Sequence, residues 1–267
     1  MGTAFVRLLD DVAIPVVHSD LDLVDTSSIG PVLEGLGPDA VVNCAAYTKV
    51  DEAESEEDLA TRINGDAVGV MARWAAVNDV PFLTFSTDYV FGGDASSPYL
   101  ESSPTDPINA YGRSKLEGER LAVEHGGLVV RTSWVISGSH PNFVATMIRL
   151  APERELRVVD DQKGCPTVCD DLAVASLQAL QTGLKGLLHL TNEGPTSWFE
   201  LARAAVAEAG FDPEVISPCS TAEYPTQAVR PAYSVLGSER LLGSGIARPP
   251  HWRESLPQVV AEIKTWI

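Results

Sequence analysis

With 267 residues, 45% of them hydrophobic, the chain can bury a large core, either as one α/β unit or as a domain with an added lobe. Its formal net charge of −18, from 19 Lys and Arg against 37 Asp and Glu, argues against a nucleic-acid or anionic-membrane partner. Any anionic ligand therefore needs locally placed basic residues.

In chain order, apolar strand-like runs alternate with helical periods. The pattern predicts strands at Ala13–Val17, Ala40–Cys44, Pro81–Ser86, Leu128–Thr132, Leu156–Val159 and Gly186–Thr191. It predicts helices at Thr26–Leu36, Asp58–Asn78, Ala110–Glu124, Asn142–Leu150 and Asp170–Gln181. Such alternation is that of an α/β protein with a doubly wound parallel sheet. After Thr191 the pattern changes to a capped amphipathic helix from Ser197, a Pro-rich stretch and a closing helix, which suggests a smaller substrate lobe. The acidic run Asp51-Glu52-Ala53-Glu54-Ser55-Glu56-Glu57-Asp58 reads as a solvated helix start, where negative charge suits the macrodipole. Cys44, Cys165, Cys169 and Cys219 are scattered and His18, His125, His140, His189 and His251 form no cluster, so no metal site and no disulfide framework is expected. No stretch approaches a membrane span and no signal peptide is visible, which reads as a cytoplasmic chain.

The chemistry lies in Ser86-Thr87-Asp88-Tyr89-Val90-Phe91 and, 24 positions after Thr87, in Tyr111-Gly112-Arg113-Ser114-Lys115. Residues four apart share a helix face, so Tyr111 and Lys115 project together. A nearby ammonium favours tyrosinate, which would bring the phenol toward a pKa useful near neutrality. Thr87 adds a hydroxyl at the carboxyl end of a strand, leading into a loop with Asp88, Gly92, Gly93 and Asp94; ligands of open α/β sheets bind at such ends. Together the three form a carbonyl-reducing proton relay. The rival reading of a lone Tyr-x-x-x-Lys is a solvated helix face.

This arrangement resembles the short-chain dehydrogenase/reductase superfamily in its extended sugar-nucleotide branch. Four further segments narrow the likeness: Pro38 to Asp51, Arg131-Thr132-Ser133-Trp134-Val135, Asp160-Asp161-Gln162-Lys163-Gly164-Cys165-Pro166-Thr167, and Arg230-Pro231-Ala232-Tyr233-Ser234. With them the chain resembles the dTDP-4-dehydrorhamnose reductase family from about Gly2 to its last helix. The resemblance implies a Rossmann-like NAD(P)-binding domain at 1–131 and 154–189, and a substrate-binding lobe at 132–153 and 190–267. It implies Thr87, Tyr111 and Lys115 as catalytic residues and NADPH or NADH as cofactor, with Lys115 also bonding the nicotinamide ribose. The implied reaction is reduction of the 4-keto group of a dTDP-4-dehydro-6-deoxyhexose to give dTDP-L-rhamnose.

On the cofactor side, Ala45-Ala46-Tyr47 would lie beside the nicotinamide half, and Asp22-Leu23 matches an adenosine-contacting turn, with a helix N-cap region before Thr26 as the equal alternative. Gly2 matches the last glycine of a Gly-x-x-Gly-x-x-Gly turn. The strand and the earlier glycines that normally precede it are not in the sequence, and a start upstream of Met1 is the expected explanation, against a natural chain that has lost cofactor binding. On the substrate side stand Thr87, Tyr89, Trp134 as a flat face for the hexose, and Arg230 for a diphosphate. Their rivals are a core or lobe-hinge tryptophan and a surface salt bridge. Ile136 and Ser137 depart from the tyrosine and glycine that family members often carry there. A related 4-ketoreductase of secondary-metabolite deoxysugars, and a non-catalytic regulatory subunit of the same fold, stay open as alternatives; a homodimer is possible.

Overall fold

The computed structural model describes residues 1–241 and 243–267. Four strands, Val41–Asn43, Phe82–Thr87, Leu128–Thr132 and Gly186–His189, lie side by side in that order and all run parallel. Register is set by pairs such as Leu83 with Leu128, Thr87 with Thr132 and Val129 with Leu187. Every residue of Leu128–Thr132 is buried, as expected of a parallel strand covered on both faces.

The two faces are covered by different helices. On one, Ile29 and Leu33 of Thr26–Leu36 and Val68 and Met71 of Ala67–Val77 pack with Phe82 and Val129. On the other, Leu172 and Ala175 of Cys169–Gln181 pack with Leu83, Leu128, Val130 and Leu188. This is the doubly wound α/β arrangement expected from the alternation. The helix Ala110–Glu124 matches its expected bounds, and Asn109 caps it by accepting the Gly112 N–H at 2.8 Å. The expected helix over 58–78 forms as Glu57–Thr61, a π turn Arg62–Asp66 and Ala67–Val77.

One strand expectation fails and one strand forms elsewhere. Ala13–Val17 forms no strand: none of the described residues pairs with it, and Pro15 at its centre has no N–H to give a ladder. Its apolar side chains face water, Val12 beside it being 76% and Ile14 59% exposed. The helix before it, Gly2–Leu9, is anchored separately, with Ala4 and Phe5 against Cys169 and Ala173 and Arg7 paired with Asp170 at 2.7 Å.

Leu156–Val159 does form, but outside the main sheet: it pairs in parallel with Ile216–Cys219. Its alternating burial, with Leu156 and Val158 buried and Arg157 exposed, fits a sheet covered on one face only, here by Phe199, Ala202 and Val206. Around this pair the helices Phe143–Leu150, Trp198–Glu208 and Trp252–Ile263 build a second core from Ile136, Val144, Ile148, Leu201, Trp252 and Val259. Ser197 caps the middle helix, accepting from the Glu200 N–H. Among the described residues no helix is long and apolar enough to cross a membrane, and no cluster of His, Cys, Asp and Glu could hold a metal ion.

Candidate active site

Thr87 ends its strand opposite Thr132, and the chain then turns through a 3₁₀ segment, Asp88–Val90. The Thr87 hydroxyl fixes that turn: it donates to Asp88 Oδ1 at 3.0 Å and accepts the Tyr89 N–H at 3.2 Å. The turn lies directly on the first turn of the Tyr111 helix. A Cβ at Gly112 would collide with the Tyr89 carbonyl, so the Tyr-Gly-Arg-Ser-Lys string needs its glycine for close approach.

The acidic run opens a helix at Glu57 and is largely exposed, as expected, and it also holds the start of the Tyr111 helix. Glu54 accepts the Ala110 N–H at 2.8 Å, and Glu57 takes both the Arg113 Nε and Nη2 donors at 2.6 and 2.9 Å. Asp51 reaches the C-terminal lobe, and Glu56 accepts the Tyr47 hydroxyl. Carboxylates here serve the N-terminus of a neighbouring helix as well as their own.

Tyr111 and Lys115 sit on one face, as their spacing requires. Lys115 is only 5% exposed, and burial lowers its pKa to about 8 against the raising influence of Glu119. The phenol departs from expectation. Burial, with the Asp88 charge adding to it, pushes Tyr111 up to about 12, while the neighbouring Thr87 hydroxyl works the other way. The lysine does not lower it. At neutral pH this phenol holds its proton, the state a donor to a nascent alkoxide needs. Asp88 beneath it is buried and held up to about 7 by that burial, partly offset by the Ser234 and Thr87 hydroxyls. Its Oδ2, together with Ser86 Oγ and Thr132 Oγ1, has no hydrogen-bond partner, so unsatisfied buried polar groups cluster at these strand ends.

One organising residue escaped the sequence reading. Asn64, in the π turn, accepts the Tyr47 N–H at 2.9 Å, donates to the Tyr47 carbonyl at 3.0 Å and donates to Ser114 Oγ at 2.9 Å. It thereby ties the Ala45-Ala46-Tyr47 loop to the Tyr111–Lys115 helix. The only signal was an Asn-Gly pair inside an otherwise apolar helical stretch, Asn64-Gly65, where an uninterrupted α-helix is disfavoured.

The residues expected on the cofactor side lie along the Val41–Asn43 end of the sheet. Ala45 is exposed and its N–H bonds Asn43 Oδ1, which leaves a small residue facing outward where a backbone must be approached closely. Gly2 is exposed at the start of the first helix. Asp22 folds a turn by accepting the Val24 N–H, Leu23 is buried against Ile29 and Leu33, and the cap of the following helix is Asp25. A nicotinamide dinucleotide suits the outward Ala45, the pinned loop and a Lys115 ammonium that has no ion-pair partner among the described residues.

On the substrate side the structure sorts the candidates. Tyr89 meets the Tyr111 ring edge-on, centroids 6.1 Å apart. Trp134, at a left-handed φ of 45°, stacks one face on Trp198 at 3.8 Å, and Gly164 is packed so closely on the indole that a Cβ there would collide with it. Trp198 thus takes one face of this indole. Arg230 is forked onto Asp51 at 2.8 and 3.1 Å, which joins the 226–233 segment to the main domain. Its guanidinium also neighbours the Tyr89 hydroxyl.

A parallel sheet that brings a threonine hydroxyl, a protonated phenol and a buried lysine to one end defines a short-chain dehydrogenase/reductase. Within that class, the chain belongs to the RmlD substrate binding domain family, whose match spans residues 1–265. A dTDP-4-dehydrorhamnose reductase of Burkholderia thailandensis is 42% identical, covering 94% of this chain and 90% of that one. A dTDP-4-keto-6-deoxy-D-glucose reductase of Streptomyces niveus is 36% identical, covering 96% and 90%. Among solved structures, the dTDP-4-dehydrorhamnose reductase of Bacillus anthracis in complex with NADP superposes with a TM-score of 0.91 at 37% identity, covering 96% of this chain and 94% of that one.

Proposed function

We propose that this chain reduces the 4-keto group of a dTDP-4-dehydro-6-deoxy-L-hexose, dTDP-4-dehydrorhamnose becoming dTDP-L-rhamnose, with NADPH or NADH as the reductant. The observation that carries the reading is the Thr87, Tyr111 and Lys115 constellation on the sheet end of a chain so similar to named reductases of that substrate. When bound, the reduced dinucleotide supplies the hydride. Ala45, Ala46 and Tyr47 line its nicotinamide half, and Lys115 donates to its ribose. Gly2, Asp22 and Leu23 serve its phosphate and adenosine half.

Tyr111 gives its proton to the oxygen that was the ketone, and a phenol held near pKa 12 keeps that proton available across the neutral range. Thr87 polarises the carbonyl by turning its hydrogen from Asp88 to the ketone oxygen. The lobe at 132–153 and 190–267, with Leu156–Val159 built into its small sheet, closes over the sugar, and Tyr89 and Arg230 face its diphosphate. Replacing Tyr111 by Phe should cut turnover by about 10³-fold while dinucleotide binding, measured by calorimetry, persists. Unchanged turnover would overturn the mechanism.

A second reading within the class is a 4-ketoreductase of another deoxysugar. Ile136 and Ser137, and the Streptomyces niveus relative, favour keeping it in view. Relative kcat/KM on dTDP-4-dehydrorhamnose and on dTDP-4-keto-6-deoxy-D-glucose separates the two.

A further inference from the structure

One turn beyond Lys115, on the same helix face, stands Glu119, and both side chains are buried. Positions i and i+4 bearing opposite charges ordinarily pair, all the more where water is scarce. Here they do not: among the described residues Lys115 makes no ion pair, because both oxygens of Glu119 are taken by Arg131. From the adjacent strand its Nε donates to Oε1 at 2.9 Å and its Nη2 to Oε2 at 2.7 Å, a bidentate fork whose side chains are 3% and 4% exposed.

Arg131 is itself held from three sides. Its guanidinium lies 5.0 Å over the Phe91 ring, and its Nη1 is 3.4 Å from His189 Nε2. His189 turns that nitrogen toward the arginine as an acceptor because Nδ1 is 2.8 Å from the Gly237 carbonyl, which can only accept. Burial holds this imidazole neutral, its pKa lowered to about 4, so it adds no competing charge. The charged or titratable groups around Lys115 are thus Tyr111 and Glu119 on its own helix, Asp88 at the end of the Phe82–Thr87 strand and Arg131 on Leu128–Thr132, with His189 and Glu101 behind the arginine.

We propose that Arg131 is a positioning residue of the site: by occupying both oxygens of Glu119 it keeps that carboxylate from capturing Lys115, so the ammonium stays free for the dinucleotide. Glu119 then acts on Lys115 as a nearby charge and never as a bonded partner. The proposal rests on the reductase reading for its catalytic meaning, but the arrangement of charges can be tested without substrate.

The two partners have opposite expected effects, and because loss of a nearby cation would by itself raise the Lys115 midpoint, the deciding variant is Arg131→Lys, which keeps the charge and gives up the fork. Arg131→Met releases Glu119 onto Lys115 and should raise the midpoint at which the Lys115 amine loses its proton by about one pH unit; Glu119→Gln removes the favourable charge and should lower it by a similar amount. The midpoint is read by competitive acetylation of Lys115 across pH with mass spectrometry, and the basic limb of the turnover profile should follow with the same signs. Arg131→Lys, which can grip only one oxygen, should move it upward by less, and no upward displacement in that variant overturns the proposal. Displacements of one sign in both partners, or none, overturn the proposal. If wild-type protein reduces no 4-keto sugar while the amine midpoints still move oppositely, it is the reductase reading that fails and the charge arrangement that stands.

Discussion

The two sides of the parallel sheet differ in how firmly the chain fixes them. At the relay end, the Ala110–Glu124 helix is held by the Asn109 cap, by Glu54 and Glu57 at its start, by Asn64 through Ser114, and by Arg131 through Glu119. A Cβ at Gly118 would run into the Asn64 carbonyl, so this helix and the π turn touch backbone to backbone. At the other end, Val41–Asn43 is the edge of the four-stranded sheet, and the Val12 to Val17 segment holds apolar side chains in water. Thr87, Tyr111 and Lys115 thus sit on the firmly held side. Substitutions around the Ala110–Glu124 helix should therefore cost stability and turnover, and those in the exposed Val12 to Val17 segment little stability.

The largest effect should come from Asn64→Ala. It leaves the Tyr47 N–H and carbonyl without their partner in a buried place and the Ser114 hydroxyl with only the Tyr111 carbonyl, and about 3 kcal/mol of stability should go, seen in chemical denaturation. Because the loop and the catalytic helix then drift apart, KM for the dinucleotide should rise more than kcat falls. A stability loss with both constants unchanged would show that the tie is only structural. Gly118→Ala should cost about 2 kcal/mol by forcing the helix off the Asn64 carbonyl.

Asp88 gives a pH signature of the relay side. Its folded pKa of about 7 lies above the ordinary carboxyl value of 3.8, so between those values the native state holds a proton that the unfolded chain has shed. That contribution to stability is full below about pH 4 and is lost as pH rises to 7. Relative to wild type, Asp88→Asn should therefore gain thermal stability on going from pH 5 to pH 7.5. A constant difference in Tm between the two proteins across that range would show that the carboxyl titrates normally. Smallest of all, Ile14→Thr on the lightly held side should change stability by no more than about 0.5 kcal/mol in the same denaturation experiment. A loss of several kcal/mol would mean that the Val12 to Val17 segment is packed after all.

The relay side was also the more legible in the sequence. Spacing alone placed Tyr111 and Lys115 on one face, and the helix around them and the Leu128–Thr132 strand fall within their expected bounds, because long periodic or wholly apolar runs leave little choice. What the sequence could not carry were effects of partners remote along the chain. Ala13–Val17 has strand composition, but a strand forms only beside another. Leu156–Val159 was correctly a strand and wrongly placed, since the one exposed residue that marks a one-sided sheet, Arg157, weighs little in a four-residue run. Burial reversed the expected direction of the Tyr111 shift, and Trp198, 64 positions beyond Trp134 in sequence, stacks on one face of that indole. Asn64 had no periodicity to announce it.

The central claim is that Tyr111 protonates a sugar C4 oxygen as hydride arrives. A single-turnover experiment with NADPH deuterated at the transferring position and dTDP-4-dehydrorhamnose tests it most directly. Wild-type protein should yield dTDP-6-deoxyhexose carrying deuterium at C4, and Tyr111→Phe, saturated with the same two ligands, should yield product about 10³-fold more slowly. Deuterium absent from C4, or equal rates from the two proteins, would contradict the account.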